Sequence, residues 1–168
     1  MKQLIYAVYG SNLLEKRFMV YINGGEYRGK KYEGCRDKTK PEWLGWIYVP
    51  YRLYFAKKSE RWDNGGVAFL CCEKEPDSKY HTIVRLWKIS EEQFEDIHEQ
   101  EGKDWYNNVL FLGKIGELEI KTITGCWKDE LNAPCLDYLD VMKKGLEEIM
   151  KWSDEEIENY LKKFFDII

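Results

Sequence analysis

Residues 4–8, Leu-Ile-Tyr-Ala-Val, form an apolar run too short for a helix and rich in side chains that suit a pleated surface, which predicts a buried strand. The run stops at Gly10-Ser11-Asn12, where helix formers take over and predict a short helix from about Leu13. Residues 23–41 are polar, with glycines at 24, 25, 29 and 34, and predict a long irregular loop or hairpin. Alternating aromatic and aliphatic positions over 43–56 predict one or two strands broken at Pro50, and 66–72 and 81–89 predict two more. Ser90 with Gln93 three residues later has the form of a capping box, so a helix is expected to about Glu101, with Gly102 as its stop. Residues 105–112 and 116–124 predict a hairpin around 114–116. Two helices close the chain, one after Pro134 and one after Ser153, where Glu156 completes a second capping box. This order reads as α+β or mixed α/β, not as a regular doubly wound sheet.

With 168 residues and no polar linker, a single domain over 1–168 is expected. Aromatics make up 15% of the chain, enough to fill a core and to line a pocket. A net charge of -4 excludes a general nucleic-acid binder, which needs a basic face to displace phosphate counterions. The short basic group Arg28-Gly29-Lys30-Lys31 reads as a solvated loop or a local anion-steering patch. Neither a signal-peptide pattern nor an apolar run of roughly 18 residues occurs, so a cytoplasmic protein is expected. The five cysteines are odd in number and lack a C-x-x-C pair, which favours reduced thiols.

Two places could carry chemistry. At Gly10-Ser11-Asn12 a strand-turn-helix junction exposes backbone N–H groups, and a glycine lets a ligand approach them, which suits a carboxylate or phosphate. Neither a dinucleotide nor a nucleotide glycine loop is present. The second place is Glu101, which shares a helix face with Phe94 and Ile97 and is therefore expected to look inward. There the helix dipole, burial and the neighbouring Glu99 all oppose its charge, a setting suited to a proton carrier. A solvated acidic helix end is the alternative reading. His98-Glu99-Gln100-Glu101 begins like a zincin motif, but position 102 is glycine, and two histidines cannot make a three-histidine metal site. Cys71 and Cys72 read as residues of an apolar strand, not as nucleophiles.

Together, Y-A-V-Y-G-S-N-L at 6–13 and H-E-Q-E-G at 98–102 resemble the two main motifs of the gamma-glutamylcyclotransferase-like family. The resemblance extends to R-W-D-N-G-G-V-A-F-L at 61–70, W-Y-N-N-V-L-F-L-G at 105–113 and A-P-C-L-D-Y-L-D-V-M-K-K-G-L-E-E at 133–148. It departs at Val84, where the family commonly has glycine, and over 23–41. It implies a compact mixed β-barrel flanked by helices, with no metal or organic cofactor. The implied activity releases 5-oxoproline and a free amine or amino acid from a gamma-glutamyl amide, with Glu101 as proton shuttle. The substrate loop falls on Tyr6, Ala7, Val8, Tyr9, Gly10, Ser11 and Asn12, and Tyr106 and Tyr138 match the family's pocket tyrosines. The implied partner is a small-molecule gamma-glutamyl substrate, with no nucleic acid or membrane, in a monomer or homodimer. A non-catalytic small-molecule binding protein on the same scaffold is the rival reading.

Overall fold

The structure, a computed structural model, describes residues 2–165. In chain order the elements are β1 (Gln3–Val8), a 3-10 turn (Ser11–Leu13), α1 (Glu15–Asn23), a small hairpin β2 (Gly25–Tyr27) and β3 (Lys30–Tyr32), β4 (Glu42–Val49), β5 (Leu53–Ser59), β6 (Gly65–Leu70), β7 (Thr82–Ser90), α2 (Glu91–Glu101), β8 (Asn108–Ile115), β9 (Leu118–Thr124), α3 (Leu136–Ile149) and α4 (Asp154–Lys162). A five-stranded mixed sheet of order β4-β7-β1-β9-β8 forms the centre. β1 lies in its middle, antiparallel to β7 and parallel to β9, which explains why the strand is apolar along almost its whole length.

Strand alternation sends the β1 side chains into two cores. Leu4, Tyr6 and Val8 meet Phe18 and Tyr21 of α1 and Phe94 and Ile97 of α2. Ile5 and Ala7 meet the β5–β6 hairpin together with Met142 and Leu146 of α3 and Tyr160 of α4. The hairpin is joined to the sheet by a side chain: Thr124 Oγ1 at the end of β9 donates to the Leu70 carbonyl (2.7 Å) and accepts the Leu70 N–H (2.8 Å). The barrel expected from the sequence takes this form, a mixed sheet covered on one face by a hairpin and flanked by four helices.

Local signals account for most boundaries. Ser90 Oγ accepts the Gln93 N–H (3.1 Å) and Gln93 Oε1 accepts the Ser90 N–H (2.9 Å), so α2 starts at a complete capping box. It stops at Gly102, whose φ of 101° favours glycine. Three boundaries shift from their expected places, one of them the end of β6, which stops at Leu70 and leaves Cys71 and Cys72 outside the strand. The helix after the first strand begins at Glu15 because Leu13 is drawn into the core within the 3-10 turn. There α3 approaches so closely that a Cβ on Gly145 would lie 2.6 Å from Leu13 Cβ. β8 begins at Asn108, not 105, because Tyr106 still turns off the end of α2, its N–H donating to the Gly102 carbonyl (3.0 Å). Among the described residues no helix is long and apolar enough to cross a membrane.

Candidate active site

The C-terminal end of β1, the last turn of α2, β6 and the first turns of α3 converge on one recess, lined by Tyr6, Val8, Tyr9, Gly10, Ser11, Asn12, Ala68, Glu101, Tyr106, Ile123 and Tyr138. Asn12 Nδ2 donates to Glu101 Oε1 at 2.8 Å across 89 positions of sequence, so the turn and the acid are in direct contact. The helix face expected from sequence accounts for this: Phe94 and Ile97 are buried, and Glu101 continues their stripe to the recess. Glu99 leaves the site, pairing with Lys103 outside (2.9 Å).

The tyrosines hold the turn and the strands around it. Tyr138, 3% exposed, accepts the Ala68 N–H on its hydroxyl oxygen (3.1 Å). Tyr9 donates to the Ile123 carbonyl (2.7 Å) and Tyr106 to the Ala68 carbonyl (3.1 Å). Tyr106 also stacks on Phe69, with ring centroids 4.8 Å apart, and its carbonyl is bonded by His98 Nε2. His81 Nε2 bonds the Glu75 carbonyl (2.9 Å), so both histidines serve the backbone.

Electrostatics at the recess are dominated by phenols that keep their protons and by one buried cation. Burial first, and then the charge on Glu101, holds the Tyr6 and Tyr21 hydroxyls well above the ordinary phenol range. Burial likewise raises Tyr9 and Tyr106, and it pushes Tyr138 up to about 12. Arg17 of α1 lies beside them. Burial weighs against its charge, but Tyr21, Tyr32 and Glu101 outweigh that and move it upward. Sequence reading named only influences that oppose a charge on Glu101; the fold adds a cation on the other side.

Of the residues expected from the sequence, Tyr6, Val8, Tyr9, Gly10, Ser11, Asn12, Glu101, Tyr106 and Tyr138 line the recess together, and Ala7 does not. Ala7 faces the opposite core, and its carbonyl accepts the Thr122 hydroxyl (2.6 Å). Arg17 and Tyr21 escaped sequence reading, and Ala68 and His98 were quoted within motifs without a role at the site. Arg17 and Tyr21 stand four apart on a face of α1 that also buries Phe18, a spacing that could have marked both as inward.

The recess has a volume of about 40 Å³, and a neighbouring outer compartment of about 390 Å³ shares Ser11, Glu101, Tyr106 and Tyr138 with it as wall residues. Arg17, Tyr21, Lys58, Arg61, Trp62 and Trp105 contribute to the walls of this second space. Ser11 of the turn, Glu101 and the two tyrosines thus border both spaces.

No family model matches the chain. It is similar to histone deacetylase 5 of Arabidopsis thaliana, with 30% identity over 200 aligned positions that cover 94% of this chain. The chain spans about 30% of the length of that curated relative. Among solved structures it is similar to a gamma-glutamyl cyclotransferase, with a TM-score of 0.70, 17% identity, and 95% of this chain and 87% of that chain covered. An uncharacterized protein from Homo sapiens superposes with a TM-score of 0.69 and 18% identity over 100% of this chain and 92% of that one. YkqA from Bacillus subtilis gives a TM-score of 0.63 and 20% identity over 97% of this chain and 54% of that one. The central mixed sheet, its covering hairpin and its four helices therefore make up a fold of the gamma-glutamyl cyclotransferase type.

Proposed function

We propose that the protein is a gamma-glutamyl cyclotransferase, which releases 5-oxoproline and an amine or amino acid from a gamma-glutamyl amide. The observation that carries this reading is the Asn12–Glu101 bond of 2.8 Å, which sets an acid against a backbone turn at the edge of a small recess. A gamma-glutamyl amide contains its own nucleophile, so the protein need supply only folding of the substrate, proton transfer and charge stabilisation.

In this mechanism Glu101 takes a proton from the substrate α-ammonium, and the freed amine attacks the γ-carbonyl carbon, forming the new C–N bond of the five-membered ring. Negative charge develops on the carbonyl oxygen, where donors of the turn at residues 9–12 stabilise it. The old C–N bond then breaks, and Glu101 returns the proton to the departing nitrogen. Two protons leave the α-nitrogen in all, and two reach the leaving nitrogen if it departs as an ammonium, so one carboxylate working in turn balances the reaction. Tyr106 and Tyr138, protonated and uncharged at neutral pH, orient the substrate and transfer no proton. Asn12 holds the Glu101 carboxylate between transfers.

The test is incubation of the purified protein with a panel of gamma-glutamyl amides, followed by mass spectrometry for 5-oxoproline. Turnover is expected for wild type and its loss for Glu101→Gln, which keeps the shape and an acceptor for Asn12 but cannot shuttle a proton; a general acid-base group contributes about 10²–10⁴-fold. An active Glu101→Gln variant would refute the role of Glu101. A folded wild type that binds 5-oxoproline but forms none from any amide would make the protein a binder on this scaffold.

A further inference from the structure

Among the described residues the covering hairpin and the central sheet share no main-chain ladder, since β6 pairs only with β5. The edge of β6 that faces the sheet is satisfied instead by side chains, at every second residue. Ala68 donates its N–H to the Tyr138 hydroxyl (3.1 Å) and accepts at its carbonyl from Tyr106 (3.1 Å), and both backbone groups of Leu70 bond Thr124 Oγ1. Cys72 is the next residue in this series. Its Sγ lies 2.7 Å from Sγ of Cys126, two positions beyond Thr124, and accepts from Asn108 Nδ2 at the start of β8 (3.2 Å).

Both thiols are free, Cys126 exposed and Cys72 half-buried. The backbone on either side of Cys126 is tied to the hairpin, because the Tyr54 hydroxyl of β5 donates to the Gly125 carbonyl and accepts the Trp127 N–H (2.8 Å). The two sulfurs are thus set by the same seam that joins hairpin to sheet. They border a cavity of about 290 Å³, with Cys71 and Lys128 in its wall, which gives a small reagent room to reach them. The seam runs from there to the recess, where Ala68, Tyr106, Tyr138 and Ile123, the neighbour of Thr124, form part of the lining. At about 40 Å³ the recess has room for little more than water, whereas small-molecule pockets hold about 300–1,000 Å³, so a ligand that fills it has to part these walls.

We propose that Cys72 and Cys126 form a site of thiol–disulfide exchange with low-molecular-weight disulfides, and that the resulting bond staples the hairpin to the sheet and keeps the walls of the recess from parting. In the exchange one protein thiolate attacks a sulfur of the reagent, breaking its S–S bond and releasing one small thiol. The second protein thiolate attacks the mixed disulfide, forming the Cys72–Cys126 bond and releasing the other small thiol. The protein gives up two electrons and two protons, and the reagent takes both. The proposal does not depend on the cyclotransferase reading, because the seam and the sulfurs are the same whatever ligand the recess takes.

The test treats the purified protein with bis(2-hydroxyethyl) disulfide, which carries no glutamyl group. Peptide mass mapping should show residues 72 and 126 joined without added reagent, with fragmentation between residues 71 and 72 assigning the sulfur. Hydrogen exchange followed by NMR should then slow by about tenfold or more at the Ala68 and Leu70 amides and return to its former rate with dithiothreitol. The Phe18 amide, bonded to the Leu14 carbonyl in the other core, should change by less than about threefold. Cys126→Ser should leave the exchange at Ala68 and Leu70 insensitive to the reagent. A lasting mixed disulfide at Cys126, or a bond from Cys126 to Cys71, overturns the exchange site. A Cys72–Cys126 bond that leaves Ala68 and Leu70 exchanging as before, or that slows Phe18 equally, overturns the staple. The comparison of oxidised with reduced wild type decides both points even if the variant does not fold.

Discussion

Tyr138→Phe removes one oxygen and strands the buried Ala68 amide. A buried N–H left without an acceptor costs about 1–3 kcal/mol, which sets the loss if the site stays dry. The adjoining recess of about 40 Å³ can admit water, which draws the expected value to the low end, about 1 kcal/mol, or a fall in Tm of about 2–4 °C for a chain of this size. The same oxygen also restricts Gly10. A Cβ there would lie 2.7 Å from Tyr138 Oη and 3.0 Å from Ala68 Cβ, and its φ of -108° is outside the left-handed region, so the penalty of Gly10→Ala is steric and on the order of 1–3 kcal/mol. With Phe at 138 the nearer obstacle is gone, and Gly10→Ala should cost less by about 1 kcal/mol, a coupling readable by a double-mutant cycle from urea denaturation. Additive penalties, or a Tyr138→Phe loss under about 0.5 kcal/mol, would refute the view that this hydroxyl holds the turn.

Arg36 grips Asp96 through Nε (3.1 Å), Nη2 (3.0 Å) and its backbone N–H (2.9 Å), and these hydrogen bonds hold the carboxyl below the usual range. A lowered carboxylate stabilises above its unfolded value, about pH 4, and loses that contribution as pH falls through the folded one. Asp96→Asn should therefore lower the urea midpoint at pH 7, with the gap closing in acid; a constant gap would refute the charge argument. Glu148 accepts from the buried Arg85 (2.6 Å) and from the Glu15 N–H (3.0 Å), so Glu148→Gln should cost about 1–3 kcal/mol by thermal melt, less than a fully buried pair because Glu148 is partly exposed. The Sγ atoms of Cys72 and Cys126 lie 2.7 Å apart at the surface. A small disulfide oxidant should link these two, itself reduced to two thiols, while Cys35, pushed up to about 12 by burial, stays free; peptide mass mapping reads the outcome.

Features held by near neighbours were open to sequence reading. Ser90 and Gln93 announce α2 by a bond across three residues, and Phe94, Ile97 and Glu101 declare their common face by spacing alone. Pairings between distant strands leave no such mark. Nothing within β1 says that its neighbour on one side is β9, and Ala68 reaches the site only because β6 folds across the sheet. Strict alternation would have excluded Ala7 from a surface shared by Tyr6 and Val8. Arg17 illustrates the opposite error, since a charge on a short helix is ordinarily assigned to solvent, and its burial depends on three tyrosines, one of them its own helix neighbour and two on the following hairpin.

The contact between Asn12 and Glu101 joins parts of the chain separated by most of the sheet. Neither partner brings the other along: each is delivered by its own strand or helix, and they meet only once β1 and β7 are zipped and α2 has docked. Whatever this protein does at that point, it is a property of the finished assembly, and no excised stretch of the polypeptide inherits it.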